Sequence, residues 1–257
     1  EMQPDADRPM SEPYPLQLLG GITQELTTRG YSVLLTAIQS MGSGLALAAD
    51  GVILLGQGAH DNAVHEVANC GLPYVVWGAE HGQADCIVVG SDNRSGGVCV
   101  ADRFLALGRR RLVFLGDTSH AEVDQRWNGF QERLHAAHQS SLNLIPSAFT
   151  FGAGFAAIQA HLAHCDTPPD GLFAASDLLA MGAVRAFSDA GLAVPDSVSV
   201  IGYDDSPTAQ TFAPPLSSVH QDWRHGGVLL ACKVLDLIEG RPAQSEIMPT
   251  NLVVRAT

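Results

Sequence analysis

Two residues of this sequence combine a chemically committed side chain with a place where folded chains present such groups. Asp204 follows the apolar run 198–202, a stretch of buried-strand length. Its carboxylate therefore stands at the C-terminal end of a strand, where parallel α/β sheets make their ligand contacts. An ionised carboxylate in that place accepts hydrogen bonds from two neighbouring hydroxyls. The alternative is that Asp204 caps the turn after the strand, a role for which Asp205 is the better candidate. Arg126 lies near the start of a helix outlined by Val123, Trp127, Phe130, Leu134 and Ala137. Its guanidinium is a planar fork of donors that stays charged, complementary to an oxyanion or to paired hydroxyl oxygens. A surface ion pair is the plainer use for it. Ser176 and Asp177 sit where a strand hands over to a helix, and Asp177 reads as the N-cap.

Other chemically suggestive patterns are incomplete. Gly152, Gly154 and Ala157 satisfy G-x-G-x-x-A after a short strand-like run, but the ribose-binding acid expected about 20 residues on has only Asp170, in a Pro-Pro-Asp-Gly turn. A helix start is the better reading. His135 with His138, and His161 with His164 and Cys165, share a helix face at zinc-like spacing without completing a coordination sphere. The chain contains no G-x-S-x-G elbow and no local signature of a Ser-His-Asp set. No catalytic residue, metal or cofactor is expected, and the chain is not read as an enzyme.

The elements that must position these groups alternate between strand and helix. Apolar runs of buried-strand length occur at 32–36, 51–55, 73–77, 112–115, 172–175 and 198–202. Between them, Leu18, Ile22 and Leu26 followed by Gly30 outline a helix with its stop. The stretch 178–190 closed by Gly191 outlines another. This order predicts an α/β fold with parallel sheets.

With 257 residues and 46% of them hydrophobic, the chain has enough apolar material for one large or two moderate domains. Its five cysteines show no Cys-x-x-Cys spacing and read as reduced thiols. No apolar stretch approaches the roughly 20 residues of a membrane span. The N-terminal residues have no leader-like pattern of charge and hydrophobicity, so a cytoplasmic protein is expected. A net charge of −13 repels a phosphate backbone, so this chain alone is not expected to hold DNA.

From Asp92 onward, an ordered set of short motifs resembles one family. Asp92-Asn93-Arg94-Ser95-Gly96-Gly97 precedes a helix, then Leu107-Gly108-Arg109-Arg110-Arg111-Leu112. Arg126-Trp127-Asn128-Gly129-Phe130 follows, and then Phe173-Ala174-Ala175-Ser176-Asp177-Leu178-Leu179-Ala180-Met181-Gly182-Ala183. The last two are Val194-Pro195-Asp196-Ser197-Val198 running on to Gly202-Tyr203-Asp204-Asp205, and Pro215-Leu216-Ser217-Ser218-Val219-His220-Gln221. Together they resemble the LacI/GalR transcription regulators and, more distantly, periplasmic sugar-binding proteins.

The resemblance implies two Rossmann-like subdomains with parallel sheets joined by three crossing strands, with a small molecule held in the cleft between them. The expected N-terminal subdomain is 1–91 plus 221–245, and the C-terminal one is 92–220 plus 246–257. By family position Asp204, Arg126 and Ser176 contact the ligand, Phe149, Tyr14 and Trp77 wall the cleft, and Gln221 and Trp223 flank the second crossing. Each aromatic also has an ordinary packing role open to it. The implied function is that of an effector-binding and dimerisation body: a sugar or sugar derivative binds a homodimer and controls operator DNA binding. The DNA is held by a helix-turn-helix head that this chain does not contain. The family pattern also places a first strand ahead of the Pro4-Asp5 turn, so further sequence is expected upstream. The second reading is an exported solute-binding component of a transporter, which shares the fold.

Overall fold

The computed structural model describes residues 13–36, 49–57, 62–80, 86–139 and 141–257. The chain divides into two compact units, Glu1–Ser91 with Asp222–Met248, and Asp92–Gln221 with Pro249–Thr257.

The first unit holds α1 (Pro13–Thr28), β1 (Val52–Leu55), α2 (Asn62–Ala68), β2 (Tyr74–Trp77) and β3 (Ile87–Ser91). The second unit runs through α3 (Asn93–Ala106), β4 (Leu112–Leu115), α4 (Ala121–Ala136), β5 (Leu142–Ile145), α5 (Phe151–His164) and β6 (Gly171–Ala174). It continues with α6 (Asp177–Asp189), β7 (Ser199–Asp204), α7 (Pro207–Thr211) and β8 (Ser217–His220). The chain then returns α8 (Trp223–Ile238) and β9 (Glu246–Met248) to the first unit and ends with β10 (Asn251–Val253) in the second.

The first unit's sheet has the order β1-β2-β3-β9, parallel throughout. Strand β9 belongs here, rather than with the C-terminal residues expected to begin at 246, because it pairs in register with β3, Val89 beside Glu246 and Ser91 beside Met248. The second sheet has the order β10-β8-β7-β6-β4-β5, parallel except for β10 on the edge. Its central strands read as unbroken apolar runs because helices cover both faces, and all four residues of β4 and of β6 are buried. The core there gathers Phe104, Phe114, Phe130, Phe173, Phe187 and Tyr203, all fully buried. Each such side chain contributes about 1.5–3 kcal/mol relative to an exposed one.

The run 32–36 departs from expectation. It forms no strand, and Leu34 and Leu35 are 61% and 63% exposed. An apolar run becomes a strand only where a neighbour completes its ladder, and none does so among the described residues. The G-x-G-x-x-A segment opens α5 from Thr150, whose hydroxyl accepts the Ala153 N–H at 3.1 Å. Gly154 serves the packing of α5 on α6, since a Cβ there would lie 2.6 Å from the Leu179 carbonyl oxygen. None of the five cysteines forms a disulfide. Among the described residues, no helix is long and apolar enough to cross a membrane, and no metal-ligand cluster of His, Cys, Asp or Glu forms. The extreme N-terminal motif reading falls outside the described residues.

Candidate functional site

The parallel strands β6, β7 and β8 end on the same edge of the second sheet, and the chemically committed residues lie at those ends. Asp204 closes β7 with φ +119°, and Asp205 follows at φ +55°. Two successive non-glycine residues at positive φ cost about 1–3 kcal/mol each, so the surrounding structure must hold them there. The holding bonds are specific. Ser218 Oγ on β8 accepts the Asp205 N–H at 2.9 Å, and Gln221 Nε2 donates to Asp204 Oδ1 at 2.8 Å. Arg255 and His220 both bond the Asp205 carboxylate, at 2.5 and 3.1 Å. Asp205 is thus an ion-pair anchor, and the cap of α7 is Ser206, whose hydroxyl accepts the Ala209 N–H.

Arg126 lies on α4 and is 7% exposed, so the plainer reading of it as a surface ion pair is excluded. Its Nε donates to Asn93 Oδ1 at 2.8 Å and its Nη1 to the Ala175 carbonyl at 2.6 Å. The guanidinium carbon sits 3.7 Å from the centre of the Tyr203 ring. Two bonds and a ring face fix the plane of the fork, and three of its five N–H groups are not used by those two bonds. Tyr203 itself is fully buried, its hydroxyl has no partner among the described residues, and burial pushes its phenol up, against the pull of Arg126. It stays neutral.

The cap expected at Asp177 is supplied by Ser176. Ser176 is the N-cap of α6, its Oγ accepting the Leu179 N–H at 3.4 Å. It has the extended backbone of a cap (φ −151°, ψ 163°), and its hydroxyl proton remains for a further acceptor. Asp177, one residue on, is 1% exposed and accepts from Ser206 N at 2.7 Å and from Ser218 Oγ at 2.6 Å. Sequence patterns do not separate the two, because both residue types cap helices well and only the φ of position 176 decides.

Burial raises the proton affinity of both Asp177 and Asp204. For Asp204 the Asp177 charge adds to burial, whereas Arg126, Gln221 and the Asp177 N–H oppose it. For Asp177 the donors Ser218 and Ser206 oppose burial. Beside the Asp205–Arg255 ion pair, this edge therefore carries two neighbouring acids and the fixed Arg126 guanidinium, a set that suits hydroxyl groups.

Phe149 is partly buried against the second unit's core and meets the His120 ring edge-on, with centroids 5.2 Å apart. In the first unit Tyr14 and Trp223 form an edge-on pair with centroids 5.6 Å apart. Trp223 is 3% exposed and its indole N–H has no partner among the described residues. Trp77 is 4% exposed at the end of β2 and packs under α8, where a Cβ on Gly226 would run into its ring. Little of its face is left for a ligand. The residues brought together in the second unit are thus Asp204, Gln221, Arg126 and Ser176, and in the first Tyr14 and Trp223. Asn93 and Tyr203, which orient Arg126, were not singled out from sequence. Their only signal is that each sits inside a family motif.

The fold and this site define an effector-binding body of the periplasmic-binding-protein type. The family model described as a periplasmic binding protein-like domain matches residues 101–257. Similar in sequence is the HTH-type transcriptional regulator CelR of Thermobifida fusca, 31% identical over 261 residues that cover 95% of this chain and 76% of that protein. The HTH-type transcriptional repressor PurR of Mannheimia succiniciproducens is 26% identical over 259 residues, covering 95% and 77%. Among solved structures, a transcriptional regulator CelR–cellobiose complex superposes with a TM-score of 0.87 at 29% identity, over 96% of this chain and 80% of that one. A LacI family regulator from Enterococcus faecium with bound ribose shares the fold, with a TM-score of 0.86 at 24% identity over 99% and 96%. The chain belongs to the LacI/GalR family of transcription regulators, as its effector-binding part.

Proposed function

We propose that the chain senses a neutral sugar, and that Asp204 and Arg126 are its principal polar contacts. The observation that carries this reading is the pairing, at one sheet edge, of a carboxylate in a strained turn with a guanidinium whose plane is already set. A pre-set fork and an acceptor beside it bind vicinal hydroxyls without first losing side-chain freedom. A phosphate or uronate would bring a further negative charge to Asp204 and Asp177. The CelR relative in complex with cellobiose supports a sugar as the class. Ser176 and Gln221 are proposed as further hydrogen-bonding contacts, Phe149, Tyr14 and Trp223 as apolar walls, and Trp77 as their support. The two units are the proposed lobes of the sensor.

As in the regulators it resembles, the chain is proposed to act in the cytoplasm as a homodimer that controls operator DNA through a helix-turn-helix head. Effector and operator affinities are then reciprocally coupled, by about 1–3 kcal/mol in typical cases. The relatives CelR and PurR are transcription regulators, which favours the sensor reading over the transporter one. The test is a thermal-shift screen against cellobiose, glucose, glucose 6-phosphate, glucuronate, nucleobases and NAD, repeated with Asp204→Ala and Arg126→Ala. A neutral sugar at 100 times its Kd adds about 2.7 kcal/mol, raising the midpoint by roughly 5–10 °C. Loss of that shift in both variants is the expected result. A shift from NAD alone, or from a sugar but equal in the variants, overturns the proposal.

A further inference from the structure

We infer that Asp177 is the positioning residue for the Asp204 carboxylate, tying the 204–206 turn to α6 and β8 and setting a second acid beside the ligand contact. This rests on the reading of Asp204 as that contact. One Asp177 carboxylate holds the segment after Asp204 at one point directly and prepares a second: its Oδ2 accepts the Ser206 N–H at 2.7 Å, and its Oδ1 accepts the Ser218 hydroxyl at 2.6 Å. Ser218 passes the constraint on, because the same Oγ accepts the Asp205 N–H at 2.9 Å. Remove Asp177 and the two positive-φ residues 204 and 205 lose their common anchor. Gly202 on β7 has the room below this knot because it lacks a Cβ, which would run into Asp177 Oδ1.

The charges facing Asp177 sharpen the role. From β7 it meets Asp204 and Asp205, and the latter is held by Arg255 of the C-terminal segment and His220 of β8. From α4, Arg126 acts on Asp204. From β8 and the loop beyond it come Ser218 and Gln221, the latter on Asp204. The hydrogen bonds to Asp177 are from neutral donors, so no cation bonded to it offsets its charge. Two acids so placed titrate as a pair. A sugar hydroxyl donating to Asp204 favours its ionised form, and the proton that the pair retains settles on Asp177. Burial, which raises both groups, brings this exchange toward neutral pH.

The test follows the carboxyl carbon resonances of Asp177 and Asp204 by NMR across the acid-to-neutral range in the whole chain. Asp177→Asn and Asp204→Asn assign them. In Asp177→Asn the Asp204 midpoint is expected to fall by roughly one pH unit. An unmoved midpoint overturns the inference. Ser218→Ala keeps both acids and cuts the tether, and it serves if Asp177→Asn does not fold. In parallel, titration calorimetry with cellobiose, glucose and ribose as probes is expected to show roughly tenfold weaker binding in Asp177→Asn and in Ser218→Ala for whichever of them binds the parent chain. Equal affinity in both variants overturns it as well. If Asp204→Asn leaves sugar affinity unchanged, the ligand reading itself fails, and the NMR midpoints still decide the coupling.

Discussion

At the scale of the residue, this protein spends its buried polar groups on orientation. Arg126 illustrates it: the bonds to Asn93 and Ala175 and the Tyr203 face fix one plane. A lysine keeps the charge but lacks the fork, so Arg126→Lys is expected to cost about 2–4 kcal/mol of stability, read as a lowered thermal midpoint. A retained midpoint would mean that the two bonds contribute little. Asp177 and Asp204 lead to a prediction about pH. Their folded-state proton affinity lies above that of the unfolded chain, so between the ordinary carboxylate range and the raised one the native state holds protons that the unfolded state has lost. These groups therefore stabilise the fold toward acid, and their contribution falls as pH rises to neutrality. Asp177→Asn removes one of them. Urea unfolding should then show the stability of Asp177→Asn gaining on the parent as pH rises from acid to neutral, whatever their offset at low pH. A constant difference would contradict this.

At the scale of the element, helix packing in the second unit depends on backbone approach. A Cβ on Gly97 of α3 would lie 2.8 Å from the Phe130 nitrogen of α4, and a Cβ on Gly129 of α4 would lie 2.9 Å from the Arg94 carbonyl carbon of α3. On helix propensity alone, glycine to alanine in a helix gains about 1 kcal/mol. Here the clash should outweigh it, and Gly97→Ala is expected to destabilise by about 1–3 kcal/mol in denaturant unfolding. Stabilisation would show that α3 and α4 can separate at little cost. The cap of α6 gives a second case. Ser176→Ala removes the acceptor for Leu179 N–H and should cost about 1 kcal/mol. Element positions were legible in the sequence where apolar periodicity was strong, as for β4, α4 and α6. The run 32–36 was not, because a strand is defined by its partner and periodicity describes only one side of the pair.

At the scale of the whole molecule, the balance of 14 basic against 27 acidic residues governs what the chain can do without further domains. It is expected to show no retention of non-specific duplex DNA in a filter-binding assay at physiological salt, because no excess of cations is present to release the counterions of the phosphates. Retention would locate a DNA surface on the sensor body itself. The division into two units was announced by motif order alone, with no linker composition to mark it, since each unit is completed by segments distant in sequence. Placing 246–248 required the ladder with β3.

The amino-acid sequence by itself determined the α/β class and the family, and it picked out Asp204 and Arg126 as candidates, because strand length, helix period and motif order are local properties. Tertiary structure alone decided what each of these groups is bonded to. Periodicity cannot reveal that Ser176 caps α6 while Asp177 lies beneath it, or that Trp77 is packing. Nor can it show that Asn93 and Tyr203 hold Arg126, for these partners are separated by 33 residues or more along the chain and meet only when the sheet closes over them.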